Sequence, residues 1–185
     1  MRVLAGHAGR RVTSASAVLA IVALTGCGSS GDDDVETFRD PAVPVTFQYP
    51  STYQTSTDPT VGSSAGANAA FRRALVLDND NLILVETFSL RIAITQSNLE
   101  QAKPELDAVV DQIAPGPVSG KRVEFGGLPG FEYKIDLTKP SSGQSRLVFL
   151  FDGKTEVELN CQSTPEKRSD VDEACDQVLS TLQKA

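Results

Sequence analysis

The segment Gly62-Ser63-Ser64-Ala65-Gly66 fits the G-x-S-x-G pattern that surrounds the nucleophilic serine of many hydrolases. That chemistry needs a strand before the serine, a helix after it and a histidine base that accepts the hydroxyl proton. The surroundings of Ser64 are instead rich in Gly and Ser, and His7, the one histidine of the chain, lies in an N-terminal segment that we expect to be removed. We therefore predict a loop here and no catalytic serine.

Two acidic patterns could bind a metal or perform acid–base chemistry. Residues 78–81, Asp-Asn-Asp-Asn, begin like a calcium loop, but apolar residues follow where an oxygen ligand and a glycine are required, so we expect a polar turn. Glu156 and Glu158 are two residues apart and could form a pair of catalytic carboxylates. Their alternation with apolar neighbours favours the solvent-facing side of a strand. We predict no catalytic residue, no metal ligand and no cofactor.

The N-terminus has the layout of an export signal. Arg2, Arg10 and Arg11 form a positive region, and a short apolar run follows at 17–24. A transmembrane anchor is the alternative, but a spanning helix needs about 20 apolar residues and this run is far shorter. Because no apolar pair follows Arg10-Arg11, we favour the general secretory route over twin-arginine export.

Leu24-Thr25-Gly26-Cys27 resembles the lipobox of bacterial, and specifically actinobacterial, lipoproteins. The resemblance implies transfer of a diacylglyceryl group, with acyl chains such as palmitate, to the Cys27 sulfur and cleavage before that residue. Two acyl chains suffice for stable anchoring. We therefore predict a signal peptide at 1–26, a lipidated cysteine with a flexible tether at 27–37 and one globular domain at 38–185. The acidic run at 32–34 is interpreted as part of the tether rather than a metal site.

Two further cysteines remain after lipidation of Cys27. Cys161 and Cys175 form an even pair in an oxidising compartment, so we predict a disulfide between the end of a strand and the helix that follows. A zinc site is the alternative, but it needs four ligands and the exported chain has no histidine.

The periodicity of apolar residues predicts the remaining elements. Helical spacing indicates helices over 97–113, with Ser97 as the N-cap, and over 171–182. Two alternatives remain at Pro104: the first helix kinks there, or it begins there with the proline in its first turn. The unbroken apolar run at 147–151 predicts a central strand covered on both faces, followed by a hairpin turn at Asp152-Gly153. Alternation predicts the other strands, at 43–49, 71–77, 82–90, 122–125, 131–137 and 157–161.

These elements predict an α+β fold, with a central antiparallel sheet of about six to seven strands and two helices packed on it. Two segments resemble the PsbP-like α/β/α sandwich proteins: residues 45–50, in which a strand ends in Tyr-Pro, and residues 127–133. The resemblance spans about 43–182 and departs from the family because no tryptophan follows Tyr49-Pro50. It implies a binding or assembly subunit rather than a catalyst, and no binding residue can be transferred from the family.

The formal net charge is -7, and loss of residues 1–26 leaves 14 basic against 24 acidic residues, or -10. Such a surface repels phosphate groups, so we expect no nucleic-acid partner. We predict a lipid-anchored protein on the extracytoplasmic face of the cell membrane that presents a non-catalytic binding domain. Its expected partners are the membrane, through the Cys27 lipid, and an unknown protein or envelope component. Two alternatives remain: a carrier with an apolar pocket between sheet and helix, and a carboxylate-based cell-wall enzyme.

Overall fold

The computed structural model describes residues 34–62, 68–138 and 142–185, which contain nine strands and two α-helices. The fold class that the sequence predicts is confirmed: the protein is α+β, its strands pair in antiparallel fashion, and two helices accompany them. The elements in chain order are β1 (Val35–Phe38), β2 (Val45–Pro50), β3 (Gln54–Ser56), β4 (Phe71–Val76), β5 (Leu82–Ile94), α1 (Lys103–Val110), β6 (Lys121–Phe125), β7 (Leu128–Asp136), β8 (Gln144–Ser163), α2 (Arg168–Thr181) and β9 (Gln183–Lys184).

The large sheet has the strand order β3-β4-β5-β8-β7-β6. Its central strand, β8, is folded back on itself. An extended strand would separate Ser145 from Asn160 by about 50 Å, yet the Ser145 hydroxyl donates a hydrogen bond of 2.6 Å to Asn160 Oδ1. The chain reverses at Asp152-Gly153, where Gly153 has a φ of 61° that favours glycine. One arm of β8 therefore pairs with β7 and the other pairs with β5.

One face of the large sheet is covered by α2 and by the small sheet, whose order is β1-β2-β9. The apolar stripe of α2 packs there through Val171, Cys175 and Val178, all fully buried. The backbone N–H of Gln48 on β2 also donates to Thr181 Oγ1 on α2, at 2.9 Å. The N-terminal strands and the C-terminal helix thus form one layer on this face.

The opposite face of the large sheet is covered by α1. Leu106 and Val110 of α1 pack with Phe131 and Phe149 of the sheet in a second apolar cluster. Both faces of β8 are therefore buried, in agreement with the unbroken apolar run at 147–151. The same arrangement overturns the solvent-facing interpretation of Glu158, which is only 2% exposed, because α1 covers the face on which it lies.

The first helix is shorter than its sequence pattern suggests. A 3-10 turn over Leu99–Gln101 precedes α1, which begins at Lys103 with Pro104 in its first turn. Proline is favoured there because it lacks a backbone N–H. Ser97 caps neither element and instead contacts the Thr95 hydroxyl. No helix among the described residues is long and apolar enough to span a membrane.

The N-terminal strand lies partly within the segment assigned to the tether. β1 begins at Val35 and pairs with β2 through Phe38, and the Asp34 carbonyl accepts a hydrogen bond from the Ser51 N–H. The strand β1 thus includes the last residues of the segment 27–37. Cys27 and residues 28–33 lie outside the described residues.

Candidate ligand-binding groove

A groove of about 600 Å³ lies between α1, the second half of β5 and the folded strand β8. We call it the α1 groove. Its volume falls within the range of about 300–1,000 Å³ that is typical of small-molecule sites. Apolar side chains dominate the lining and come from all three elements: Phe88, Leu90, Ile92, Ile94, Ala102, Leu106, Val109, Phe149 and Phe151.

The entrance of the α1 groove is apolar as well. Ile92 is 57% exposed, the highest value among the large apolar side chains that the structure describes. It lies where β5 continues past Ser89, the last residue in regular register with β8 before an irregularity that extends to Ile94. This part of β5 therefore forms an exposed wall of the groove rather than a central strand of the sheet.

Three of the six polar side chains that line the α1 groove are acidic. Glu156 and Glu158 belong to the second arm of β8, and Glu105 extends from α1. The other polar lining residues are Ser89, Arg91 and Gln101. Since side chains two apart on a strand share a face, Glu156 and Glu158 form one acidic strip on the floor of the groove.

Glu158 has an environment unusual for a carboxylate. It lies directly opposite Glu86 in the ladder between β5 and β8. Glu86 is bonded to Arg72, with 2.6 Å between Oε1 and Nη1. Oε1 of Glu158, in contrast, is buried and has no hydrogen-bond partner among the described residues. A buried carboxyl oxygen without a partner is costly when it is ionised.

Burial changes the protonation of both acids on the floor. Desolvation raises the pKa of Glu158 from its ordinary value of 4.5 to about 8, and the charges of Glu86 and Glu156 raise it further against the opposing effect of Arg72. Desolvation and the charge of Glu105 raise the pKa of Glu156 to about 7. Near neutral pH the floor therefore carries carboxyl groups that gain or lose a proton in response to a nearby charge.

A polar contact holds α1 over the sheet. The Tyr133 hydroxyl on β7 donates to Asp107 Oδ1 on α1 at 2.7 Å, and Lys103 Nζ lies 2.7 Å from Asp107 Oδ2. Burial alone would raise the pKa of Asp107, but the hydrogen bonds from Lys103 and Tyr133 outweigh it and lower the pKa. Asp107 therefore stays ionised and fixes the position of the helix that forms the roof of the groove.

The other candidate sites from the sequence do not line this groove or lie outside the described residues. Ser64 lies in the segment 63–67, which the structure does not describe. In the turn at 78–81, the carboxylate of Asp78 stabilises the turn itself, because its Oδ1 accepts hydrogen bonds from the Asp80 and Asn81 backbone N–H groups. Among the described residues, no group of three or more His, Cys, Asp or Glu is placed to hold a metal ion.

Cys161 on β8 and Cys175 on α2 are joined by a disulfide with an S–S distance of 2.02 Å. Both cysteines are buried in the apolar cluster between α2 and the large sheet. The bond therefore links sheet and helix on the face opposite the α1 groove, and it has a structural rather than a ligand-binding position.

Comparison with known proteins gives no match to any family model and none to any curated protein sequence. Solved structures do match. The solution structure of cyanobacterial PsbP (CyanoP) from Synechocystis has a TM-score of 0.57 at 12% identity and covers 88% of this chain and 99% of that chain. The fold is PsbP-like. This agrees with the resemblance in the sequence and shows the fold alone.

Two further structures share this fold. LpqN of Mycobacterium tuberculosis, described as involved in cell envelope biogenesis, has a TM-score of 0.50 at 12% identity and covers 82% of this chain and 92% of that chain. A Bacteroides thetaiotaomicron crystal structure has a TM-score of 0.53 at 15% identity and covers 80% of this chain but 48% of that chain. The PsbP-like arrangement thus occurs in a protein described as involved in cell envelope biogenesis and within a longer chain.

The acidic floor of the groove is the feature that strand alternation misassigns. Alternation alone cannot distinguish an acid on the exposed face of a sheet from an acid on a face that another element covers. The predicted hairpin at Asp152-Gly153 is the sequence signal that could have shown this covered face. It pairs the arm that carries Glu156 and Glu158 with the arm at 147–151. The double burial predicted for the first arm applies to the second arm too.

Proposed function

We propose that this protein is an extracytoplasmic lipoprotein, anchored through Cys27, whose domain binds a small amphiphilic ligand in the α1 groove without transforming it. The observation that carries the proposal is the groove itself. It has about 600 Å³ between sheet and helix and a mostly apolar lining, which is what a carrier of an apolar ligand requires. Among the functions considered from the sequence, the carrier is the form of binding domain that this geometry favours.

The shared fold supports an envelope role for the proposed carrier. LpqN, of similar fold, is described as involved in cell envelope biogenesis. A protein anchored to the membrane by a lipid would encounter membrane-derived amphiphiles at high local concentration. The proposed ligand class therefore agrees with the proposed location.

The groove is tested with an uncharged apolar fluorophore such as N-phenylnaphthylamine. The chain from Gly28 onward retains every buried residue of the described core, and secretion behind a cleavable signal allows the disulfide to form. Ala102→Phe places a ring inside the groove, whereas Ala108→Phe places the same ring on the exposed side of α1. We expect the fluorophore to bind the parent chain and the Ala108 variant, and the Ala102 variant to lose at least about tenfold in affinity. Equal binding by all three chains would refute the assignment.

The anchor is tested independently of the groove. In the native full chain, Cys27→Ser removes the sulfur that would carry the diacylglyceryl group. We expect intact-mass analysis of the parent protein to show a chain that begins at Cys27 and bears the added lipid, and the variant to carry none. A parent chain that is unlipidated at Cys27 would contradict the anchoring proposal and leave the groove proposal intact.

One observation favours a second candidate, a carboxylate-based glycan hydrolase. Glu156 and Glu158 line one groove, and glycosidases use two acids that flank a sugar. The candidate predicts release of reducing ends from cell-wall glycan, abolished by Glu156→Gln and by Glu158→Gln. We favour the carrier because most of the groove lining is apolar, whereas a sugar needs polar contacts along its ring.

A further inference from the structure

Building on the proposed carrier function, we infer that the α1 groove selects amphiphiles whose head group is an ammonium ion, and that Glu158 on the groove floor is the residue that recognises it. The apolar part of the ligand would lie along the lining from α1 and β5. The apolar lining alone does not determine the chemistry of that head group.

The first argument is the unsatisfied oxygen of Glu158. The residue is 2% exposed and lines the groove, and its Oε1 has no hydrogen-bond partner among the described residues. Arg72 lies nearby: its Nη1 is bonded to Glu86 Oε1 at 2.6 Å and its Nη2 to the Val61 carbonyl at 2.8 Å, while its Nε is buried and has no hydrogen-bond partner among the described residues. An ammonium group supplies both the donors and the charge that this carboxyl oxygen lacks.

The second argument is the charge around Glu158. Glu86 faces it from β5, Glu156 lies beside it on β8, and Glu105 adds a third acid from α1. Against these stand Arg72, which is paired with Glu86, and Arg91, which is exposed on the β5 wall. Acids therefore exceed bases around the floor, and this imbalance is complementary to a cation.

The protonation of Glu158 gives the inference a distinct signature. With a pKa of about 8, this carboxyl group is mostly protonated at pH 7. An ammonium ion favours the ionised form and lowers that pKa, so binding transfers the proton of Glu158 to the buffer. Amine binding should therefore strengthen from pH 6 to pH 9 and release a proton near pH 7, whereas the binding of an uncharged alcohol should do neither.

The test uses three probes of equal chain length: octylamine, octanol and octanoate. Each is titrated calorimetrically into the chain from Gly28 onward, at pH 6, 7 and 9 and in buffers of different ionisation enthalpy. We expect octylamine to bind at least about tenfold more tightly than octanol at pH 9, and octanoate to bind most weakly. Glu158→Gln should reduce the preference for the amine to less than about threefold and reduce proton release to the part that comes from Glu156, with octanol binding retained. Glu173→Gln, an exposed change on α2, is the matched control and should leave every value unchanged.

The outcomes separate this inference from the proposed function. If octanol or octanoate binds as tightly as octylamine, or if Glu158→Gln leaves the preference intact, ammonium recognition by Glu158 is refuted while the groove remains a carrier site. If none of the three probes binds, or if Ala102→Phe fails to weaken them, the carrier function itself is refuted. Should Glu158→Gln not fold, Glu156→Gln replaces it, with a predicted loss of about threefold in amine preference and no change for octanol.

Discussion

Glu158 and Glu86 face each other across the ladder between β5 and β8, and both side chains are at most 2% exposed. Two buried acids directly opposite each other repel when both are ionised. Arg72 pairs with Glu86, and protonation of Glu158 lowers the repulsion further. The sheet is therefore built with a carboxyl group that favours its neutral form.

This arrangement predicts a stability that depends on pH. The pKa of Glu158 is raised in the folded protein from 4.5 to about 8, so the folded state holds a proton that the unfolded state has released. The free energy of unfolding should fall between pH 4.5 and pH 8, by up to about 1.4 kcal/mol per pH unit from this group, and level off above pH 8. Glu158→Gln should remove this contribution and make the protein more stable than its parent at pH 8, but not at pH 4.

Urea denaturation at several pH values measures the effect. Glu173→Gln on the surface of α2 is the control and should follow the parent chain. A residual slope is expected in the Glu158 variant, because burial also raises the pKa of Glu156, to about 7. Parallel curves for the parent and Glu158→Gln would show that this carboxyl does not titrate as described.

The disulfide predicts a second effect on stability. Cys161 and Cys175 are 14 residues apart and close a loop between β8 and α2. Replacing both by alanine should lower the free energy of unfolding by about 3 kcal/mol, chiefly because the unfolded chain gains freedom. Reductant should destabilise the parent by a similar amount and leave the double variant unchanged; a parent whose stability did not change with reductant would contradict the pairing.

Gly130 predicts a steric requirement in the sheet. It pairs with Leu150, and an added Cβ would lie 1.9 Å from the Phe149 carbonyl oxygen. Because backbone cannot yield as a side chain can, Gly130→Ala should cost more than about 3 kcal/mol or prevent folding. Gly116→Ala is the matched control, since a Cβ there meets nothing within 4 Å. Thermal melts that do not differ between the two variants would exclude this close approach of β7 and β8.

The contact that holds α1 over the groove predicts a smaller effect. Tyr133→Phe removes the hydroxyl that donates to Asp107, at a cost of about 1 kcal/mol, and should loosen α1. Tyr53 is equally buried, but its hydroxyl has no partner among the described residues, so Tyr53→Phe should be neutral or slightly stabilising. Chemical denaturation compares the two variants, and a greater loss for Tyr53→Phe would contradict the assigned hydrogen bond.

The sequence predicts the elements in which apolar residues recur at a clear strand or helix spacing. The alternation in β2 and β7 and the stripe of α2 are visible because each buries one face against a single layer. Three short strands, β1, β3 and β9, are not predicted. Residues 54–56 and 183–184 are largely exposed and pair mainly through their backbones, so their side chains carry no signal.

The α1 groove could be anticipated only in outline. The apolar run at 147–151 predicts that both faces of this strand are covered. The segment that covers the second face is α1, and only contacts between residues far apart in the sequence identify it. The floor was missed for the same reason, because Glu158 looks like a surface residue until α1 is placed over it. Tertiary contact, rather than local pattern, determines that residue's chemistry.

The covalent bond between Cys161 and Cys175 restrains only one side of the large sheet. On the other side, α1 has eight residues and no cross-link among the described residues. Fluctuations that move α1 away from the sheet therefore break a small set of apolar contacts and the Tyr133–Asp107 hydrogen bond. They leave the α2 layer, which is cross-linked to the sheet by the disulfide, in place. The free energy for opening the groove should therefore be well below the free energy for unfolding the domain. Amide hydrogen exchange should accordingly be faster in α1 than in α2.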